Sequence, residues 1–259
     1  MTITTQEMQT GTAATPSAIL DRISLVLDAF DGSESLGLAE IVLRTGLPRS
    51  SAHRMLDRLV QLRWLRREGR SYSLGIRLVE LGSLAVHQDR IHAASSEHLY
   101  HLYRATGLVV HLAVLDGDDV VYLEKLGGRF AAFVPTRVGG RLPATRTAVG
   151  KALLAFNGGT GPENTRIREL GYATERNGIA SGLGCIAAPI GPIGAATTAV
   201  SLCGPLAKMP FDSRMTSPVQ LTAHAIWRSI SVGVRVTPTL QRRNMLRSLP
   251  TAPSVLAEG

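Results

Sequence analysis

Basic and hydroxyl side chains alternate with apolar residues in one stretch of the chain, TGLPRSSAHRMLDRLVQLRWL, at positions 45–65. Its leucine and methionine residues recur at helical spacing, which predicts a helix with one buried face. The opposite face carries arginine, whose planar guanidinium binds phosphate and guanine through two parallel hydrogen bonds. The stretch therefore predicts a helix that packs on a core with one face and binds an anion with the other.

Most of the net charge of the chain lies around this stretch. The whole chain has 28 Lys and Arg residues and 20 Asp and Glu residues, a balance of +8. Between Arg44 and Arg77 there are nine arginines against Asp57 and Glu68 only, a balance of +7. A solvated basic face is the simplest explanation of such a charge run, so the flanking elements have to decide its role.

Those flanking elements predict a winged helix-turn-helix. Apolar spacing predicts a helix over residues 17–30 with Ser17 as its N-cap, a short helix in 36–46 that Gly46 ends, and a third over 47–62. WLRREGRSYSLG (64–75) predicts two short strands around Glu68-Gly69, and IRLVELGSLAVHQ (76–88) resumes a helix. A glycine at the tight turn between the second and third helices fits this plan and argues against a merely solvated face.

The third helix of this fold enters the major groove of DNA with its N-terminal part, and the wing contacts the backbone or the minor groove. Ser50, Arg54 and Arg58 are four residues apart, so they lie along one face of the helix, away from Met55 and Leu59. The predicted contacts with double-stranded DNA are Arg49, Ser50, Ser51, His53, Arg54 and Arg58 on the helix and Arg66, Arg67 and Arg70 on the wing.

The second half of the chain predicts an α+β domain with an antiparallel sheet. Residues 105–128 read as a hairpin of two Val-rich strands joined at Asp116-Gly117-Asp118. Residues 147–156, 165–172 and 217–234 predict helices. The uncharged segment 179–207 has too many Gly and Pro residues for a membrane-spanning helix. It predicts two buried strands around the turn Gly191–Gly194, and no membrane partner is expected.

The residues around Lys151 invite a phosphate-loop interpretation that the spacing excludes. The motif needs a glycine where Thr145 stands and a serine or threonine where Ala152 stands, so an ATPase is rejected. A helix that opens near Thr147 could instead hold a carboxylate with its free backbone N–H groups. Its small residues could equally serve close packing on a sheet, and the residues alone leave both alternatives open.

Neither cysteine nor histidine spacing indicates a cofactor or a metal. Cys185 and Cys203 are too few for a disulfide framework and lack the spacing of zinc ligands. Because no histidine stands near Cys185 in the sequence, a buried strand cysteine that can line a cavity is favoured over a nucleophile. No third ligand or paired carboxylate accompanies the five histidines of region 87–111, which are His87, His92, His98, His101 and His111.

Taken in order, these blocks resemble the IclR family of bacterial transcriptional regulators from about Ser17 to Gly233. The resemblance rests on LAEIVLRTGLPRSSAHRMLDRLVQLRWL and YSLGIRLVELG in the first half. In the second half it rests on VVHLAVLDGDDVVYLEKL, RLPATRTAVGKALLA, RELGYA and GCIAAPI…AVSLCGP. It implies a GAF-like effector-binding domain behind the winged helix, homodimers that often pair into tetramers, operator DNA as partner and a small organic acid as effector.

The resemblance also implies an effector pocket, residue by residue. The family's pocket positions fall on Ala148 and Val149 at a helix start, then on Cys185, Ser201 and Cys203 along two strands. Glu175 matches an acidic pocket position more loosely. Two features depart from the family pattern: Cys203 stands where a serine is common, and the segment NGGTGPENTRI (157–167) is shorter than usual.

The sequence therefore predicts a disordered lead (1–16), a winged helix-turn-helix domain (17–78), a linker helix region (79–105), a GAF-like effector domain (106–236) and a loose basic tail (237–259). The N-terminus lacks the pattern of a signal peptide, so a cytoplasmic location is expected. We expect a regulator rather than an enzyme, a repressor of a catabolic operon gated by a small carboxylate. The alternatives are a regulator that ignores ligands and an enzyme that uses Cys185.

Overall fold

The computed structural model describes residues 19–233. This part of the chain divides between Ala85 and Val86 into two compact units. The predicted N-cap Ser17, the lead 1–16 and the tail 237–259 lie outside the described residues.

The described part of the first unit is a winged helix-turn-helix, which confirms the predicted fold. Its strands pair antiparallel in the order β1-β3-β2, so the wing hairpin β2–β3 joins the short strand before α2. The elements are α1 (Ile19–Asp28), β1 (Leu36–Gly37), α2 (Leu38–Thr45), α3 (Arg49–Gln61), β2 (Leu65–Glu68) and β3 (Ser71–Leu74), followed by α4 (Ile76–Gln88), which contains the boundary between the units.

A glycine makes the turn between α2 and α3. Gly46 has φ 67°, a left-handed conformation that glycine adopts without a steric clash because it has no Cβ. Its N–H donates to the Val42 carbonyl at 2.9 Å. At the other end of α2 the Glu40 carboxylate accepts from the Gly37 N–H at 2.7 Å. The two caps fix the length of α2 and therefore the direction in which α3 begins.

The core of the first unit explains which part of α1 is buried. Val26 and Phe30 pack with Leu56 of α3 in a cluster beneath the sheet. Ile19 and Leu20 are 69% and 71% exposed, although the helical pattern placed them on the apolar face. The apolar pattern predicted too long a buried face, because the small core contacts only the C-terminal half of α1. The helix itself ends at Asp28, two residues before its predicted end.

The second unit has the predicted α+β architecture with an antiparallel sheet. Within residues 86–233 six strands pair in the order β6-β5-β4-β9-β8-β7. Its elements are α5 (Arg90–Thr106), β4 (Val109–Asp116), β5 (Asp119–Leu126), β6 (Arg141–Pro143), α6 (Ala148–Phe156), α7 (Pro162–Leu170), β7 (Ala173–Arg176), β8 (Leu183–Ile190), β9 (Thr198–Pro205) and α8 (Ser213–Gly233).

Helices cover both faces of this sheet, and successive side chains of β4 point alternately to one face and to the other. Val110 and Leu112 point into the core under α5 and α8, whereas Val109 and Ala113 point into the core under α6. His111 lies between Val109 and Ala113 in that alternation, so its side chain is on the α6 face. This face, called the α6 face below, contains the candidate small-molecule site.

Two helices of the second unit begin several residues earlier than predicted. α7 begins at Pro162 rather than 165, so it takes up part of the short segment 157–167. α8 begins at Ser213 rather than 217, because Asp212 completes a first turn: its carboxylate accepts from the Arg214 N–H at 3.0 Å. Pro218 consequently lies inside the helix instead of in its first turn.

The uncharged segment 179–207 contains two buried strands, β8 and β9, as predicted. β8 is buried along its whole length, and β9 is buried up to Gly204. Across residues 19–233, no helix combines the length and apolarity needed to cross a membrane.

Candidate nucleic-acid interface and small-molecule site

The outer face of α3 carries the basic and hydroxyl side chains that the sequence assigned to it. Ala52, Leu56 and Leu59 are buried on the inner face. The exposed side chains on the helix are Arg49, Ser50, His53, Arg54 and Arg58, whereas Ser51 is half-buried.

Three arginines of this surface keep their guanidinium groups free of internal partners. Within residues 19–233, no hydrogen bond or ion pair engages the guanidinium group of Arg49, Arg54 or Arg70. Arg49 and Arg54 line an open concavity together with Leu38, Ser50 and His53. Arg70 lies in the two-residue turn of the wing, next to Gly69 with its φ of 59°. An unpaired guanidinium at a helix start or a wing tip is available to a phosphate or a base edge.

Asp57 links α3 to the wing, a contact that sequence reasoning missed. Its carboxylate lies 3.2 Å from His53 Nδ1 and 3.8 Å from Arg67 Nη1. Arg67 also donates from Nε to the Gly69 carbonyl at 3.0 Å and lies 5.5 Å from the centre of the Tyr72 ring. The wing arginine is therefore held in one position beside the helix.

The remaining predicted contacts have looser internal partners. Arg58 donates to the Gln61 side-chain oxygen at 3.0 Å, and Arg66 Nε lies 3.2 Å from the Glu68 carboxylate. Arg58 also lines a groove of about 380 Å³ beside α1, together with Ser51. Exposed pairs of this kind contribute little stability, so a phosphate can displace them.

On the α6 face the strand register brings four predicted site residues together. Glu175 of β7 is opposite Cys185 of β8, which is opposite Cys203 of β9. In the neighbouring row, Ser201 of β9 is directly opposite His111 of β4. Side chains paired in this way lie within about 5.5 Å of each other at Cβ. Ala148 and Val149 of α6 belong to the same buried cluster as the two cysteines.

Cys185 and Cys203 form a disulfide, which corrects the treatment of the two thiols as separate. Their Cα atoms are 4.4 Å apart, within the range that a disulfide spans. Both residues are buried, as expected of strand cysteines. Eighteen residues separate them in sequence, and only the pairing of β8 with β9 makes them neighbours. A Cys185 sulfur in this bond is no thiol nucleophile.

The start of α6 is consistent with both alternatives that the sequence left open, a carboxylate site and close packing on a sheet. Thr147 caps the helix, because its Oγ1 accepts from the Gly150 N–H at 3.0 Å. The first intrahelical bond runs from the Lys151 N–H to the Thr147 carbonyl, so the helix has no acceptor for the N–H groups of Ala148 and Val149. Close packing explains Gly150, since an added Cβ would overlap the backbone of Ala144.

Lys151 forms an ion pair with Glu175. The sequence had raised this lysine only as part of a phosphate-loop motif, which its spacing excluded. Lys151 Nζ lies 2.6 Å from the Glu175 carboxylate and 3.0 Å from that of Glu163. Burial alone lowers the pKa of Lys151, but the hydrogen bonds to Glu175 and Glu163 outweigh it and raise that pKa above its usual value. Because Lys151 compensates its charge, the Glu175 carboxylate does not exclude an anion from the α6 face.

His111 is the main residue of this face that the sequence analysis left without a role. Its Nε2 lies 2.8 Å from Thr136 Oγ1, and its Nδ1 is buried with no hydrogen-bond partner among the described residues. Burial, aided by the charge of Lys125, lowers the pKa of His111 to about 3, so the ring stays neutral. A lone polar residue within a Val-rich strand is the signal that could have indicated it.

Three further histidines of the second unit have local partners. His92 pairs with Glu124 at 3.0 Å, and His98 lies 3.1 Å from Ser229 Oγ. His101 lies 3.5 Å from Glu97. Over residues 19–233, no group of three or more His, Cys, Asp or Glu side chains is arranged to hold a metal ion.

Two family models match the chain. The IclR helix-turn-helix domain matches residues 19–69, and the C-terminal domain of the bacterial transcriptional regulator IclR matches residues 83–165. The regulator XynR of Escherichia coli is 31% identical over 199 residues, which are 66% of this chain and 79% of that protein. KdgR of Escherichia coli is 29% identical over 192 residues, 64% of this chain and 73% of that protein.

Solved structures agree with the family models. An IclR homolog from Microbacterium hydrocarbonoxydans, solved with 4-hydroxybenzoate, has a TM-score of 0.71 and 27% identity, covering 83% of this chain and 100% of that one. An IclR transcriptional regulator from Alicyclobacillus acidocaldarius has a TM-score of 0.71 at 20% identity, covering 82% and 98%, and supports the fold alone.

Proposed function

Since this chain belongs to the IclR family of DNA-binding transcriptional regulators, we propose that it represses a catabolic operon and is gated by a small organic acid. The observation that carries the proposal is the outer face of α3, where Arg49 and Arg54 have no internal partner in the described chain. Such groups at the start of a recognition helix are suited to the edges of bases and to phosphates.

The proposed DNA complex uses α3 in the major groove and the wing beside it. Arg54 and Ser50 would contact base edges, with Ser51 and His53 as further readers, while Arg67 and Arg70 would contact phosphates. The remaining phosphate contacts would come from Arg49, Arg58 and Arg66. A balance of +7 between Arg44 and Arg77 supplies the attraction to the DNA backbone.

We propose a homodimer, which can pair into a dimer of dimers, in the cytoplasm. The support is α4, a helix described along its whole length that buries none of its residues. Ile76, Val79 and Leu84 are each more than half exposed, and exposed apolar side chains at helical spacing are typical of a surface that a second copy covers. Two recognition helices in one dimer call for a pseudo-palindromic site.

The proposed effector site is on the α6 face. The carboxylate of an organic acid would accept hydrogen bonds from the N–H groups of Ala148 and Val149 and from the Ser201 hydroxyl. The Cys185–Cys203 bridge and the Glu175–Lys151 pair would form its walls. Binding regulates DNA affinity if the acid prefers one of two dimer arrangements, because it then shifts the population between them.

The structure of the relative from Microbacterium was solved with 4-hydroxybenzoate, which supports a carboxylic acid as effector. The short segment 157–167 favours the alternative of a regulator that binds DNA without responding to ligands. An enzyme that uses Cys185 as nucleophile is disfavoured by the bond from Cys185 to Cys203.

One experiment tests the proposal as a whole. Fluorescence anisotropy is measured on a duplex from the region upstream of the protein's own gene, with and without a panel of small carboxylic acids. We expect preference for this duplex over scrambled DNA, and release by at least one acid. Specific binding that no acid changes would support the ligand-insensitive alternative, and equal binding of both duplexes would contradict the DNA-binding proposal.

A further inference from the structure

We infer that His111 is a second polar anchor of the effector site and that the effector is a monocarboxylic acid with a hydroxyl group. The inference rests on the proposed function, since it concerns the ligand of the same site. It goes further in naming a residue outside the predicted pocket set and in limiting the class of acid.

His111 lies in the right place for this role. It is directly opposite Ser201 on the neighbouring strand, and both side chains are on the α6 face. The Tyr122 ring flanks it, with 4.9 Å between the ring centres. The α6 face that holds the proposed carboxylate site therefore has a polar group one strand further on.

The hydrogen bonding of His111 is incomplete in a way that a ligand would complete. Nε2 has Thr136 Oγ1 as partner at 2.8 Å, but Nδ1 has none among residues 19–233. Leaving a buried nitrogen without a partner costs about 1–3 kcal/mol, and native proteins contain few such atoms. A ligand atom that bonds Nδ1 recovers this free energy when it binds.

The charges around His111 favour a hydroxyl over a second carboxylate. Lys125 is the cation that affects this ring, yet its ammonium group already donates to the carbonyls of Ala131, Val134 and Thr136 at 3.0, 2.8 and 2.6 Å. The imidazole itself stays neutral because burial opposes its protonation. A second carboxylate would therefore be buried beside a neutral ring, which is costly.

A hydroxyl also suits either tautomer of the ring. If Nε2 carries the proton and donates to Thr136 Oγ1, Nδ1 accepts from the ligand O–H. If the Thr136 hydroxyl donates to Nε2, Nδ1 carries the proton and donates to the ligand oxygen. Because a hydroxyl both donates and accepts, it satisfies His111 in each case. Val109, Val134 and Tyr122 belong to the same buried cluster as Ala148 and Val149.

The test compares acids that differ only in the hydroxyl. Affinities of the full-length protein for benzoate and 4-hydroxybenzoate, and for propionate and 3-hydroxypropionate, are measured by calorimetry. We expect the hydroxy acid to bind about tenfold more tightly than its parent in at least one pair, the scale of one buried hydrogen bond. Equal affinities within each pair that binds would overturn the inference.

Two variants separate the nitrogens of the ring. His111→Asn retains a polar group near the Nδ1 position, whereas His111→Gln reaches the Nε2 position and has nothing at Nδ1. The measured quantity is the hydroxyl preference, the ratio of the affinities for the hydroxy acid and its parent. We expect His111→Asn to keep most of this ratio and His111→Gln to reduce it to about one. Preference retained in both variants would contradict a role for Nδ1.

The wild-type protein provides a measurement that does not depend on how the variants fold. The ¹⁵N chemical shift of His111 Nδ1 should move when the hydroxy acid binds and remain nearly unchanged with the parent acid. Identical shifts with both acids overturn the inference, although the proposed effector site stands. Absence of binding by every acid tested overturns both, and the DNA measurements then show whether the regulator itself is ligand-insensitive.

Discussion

Asp57 on the recognition helix lies 3.8 Å from Arg67 on the wing, and the same carboxylate lies 3.2 Å from His53. One acid thus orders two of the basic groups that the sequence assigned to DNA. It also places a negative charge on a surface that has to approach phosphates. Arg67 is consequently positioned before DNA binds, whereas the side chains of Arg54 and Arg70 have no internal partner in the described chain.

Removing the ordered wing arginine should weaken binding to every DNA sequence equally. We expect Arg67→Ala to lower the affinity for operator and scrambled duplex by a similar factor and to reduce the salt slope by about one unit, because one phosphate contact is lost. Asp57→Asn should act in the opposite direction, since it removes the competing carboxylate. Salt titrations of both variants check this, and a loss confined to the operator would argue against a phosphate contact.

Arg54 should affect specificity instead. We expect Arg54→Ala to cost ~1–3 kcal/mol on the operator and to relax the preference at one position in each half-site, because a base contact is lost. The matched control is Arg228→Ala, which removes an exposed arginine of α8 and should leave DNA affinity unchanged. Operator binding by Arg54→Ala equal to that of the control would mean that Arg54 is a solvated charge.

Ser201→Ala tests the proposed carboxylate site. We expect the variant to weaken the response to the effector by roughly 1–2 kcal/mol, the scale of one hydrogen bond to a charged group. Its DNA affinity without effector should stay within about twofold of wild type, since Ser201 is in the second unit. Effector titrations at fixed DNA measure both quantities. A variant that no longer binds DNA would show that Ser201 serves the structure.

The disulfide predicts a simple thiol count. Protein prepared without reductant should show no reactive thiol after denaturation, and two after reduction, because Cys185 and Cys203 are the only cysteines of the chain. Reduction should also lower the free energy of unfolding by about 2–4 kcal/mol, the typical effect of a disulfide. Two reactive thiols before reduction would contradict the bond.

Acid should destabilise the second unit through His111. Its pKa is lowered to about 3 in the folded protein and returns to near 6.5 on unfolding. The stabilising contribution is therefore complete above pH 6.5 and is lost as the pH falls from 6.5 towards 3. At pH 4.5 the loss should be about 3 kcal/mol relative to pH 7, since one pKa unit corresponds to about 1.4 kcal/mol.

The control for this pH dependence is His111→Gln, which keeps the other titrating groups. Urea unfolding of wild type and variant at both pH values gives the difference directly. We expect the wild type to lose about 3 kcal/mol more than the variant between pH 7 and pH 4.5. Parallel losses in the two proteins would mean that His111 is protonated without cost in the folded state.

Local signals in the sequence were enough to predict most elements of the fold, but not the short strands β1, β6 and β7. The turn glycine Gly46, the apolar spacing of α3 and the short hairpin at Gly69 each act within a few residues, so the winged helix-turn-helix could be read directly. The same holds for the turn at Gly191–Gly194 between β8 and β9. Helix ends were less certain, because a cap such as Asp212 competes with the signal of a nearby proline, Pro218.

Contacts between strands could not be predicted, because register follows from turn geometry and loop length. The sequence did not define these for the seven-residue connection between β8 and β9. Nothing in the spacing of Cys185 and Cys203 indicates that β8 and β9 place them opposite each other. Lys151 was considered only as part of a phosphate loop, although its partner Glu175 is on a strand 24 residues later in the sequence. His111 needed the same information, since its free Nδ1 becomes evident only when Thr136 and Ser201 are located around it.

The most direct test of the account measures binding of the wild-type protein to the duplex from upstream of its own gene at several salt concentrations, against a scrambled duplex of equal length. We expect preference for the first duplex at moderate salt. We also expect affinity that falls steeply as salt rises, and protection of two half-sites in phase with the helical repeat. Equal affinity for the two duplexes at moderate salt would contradict it.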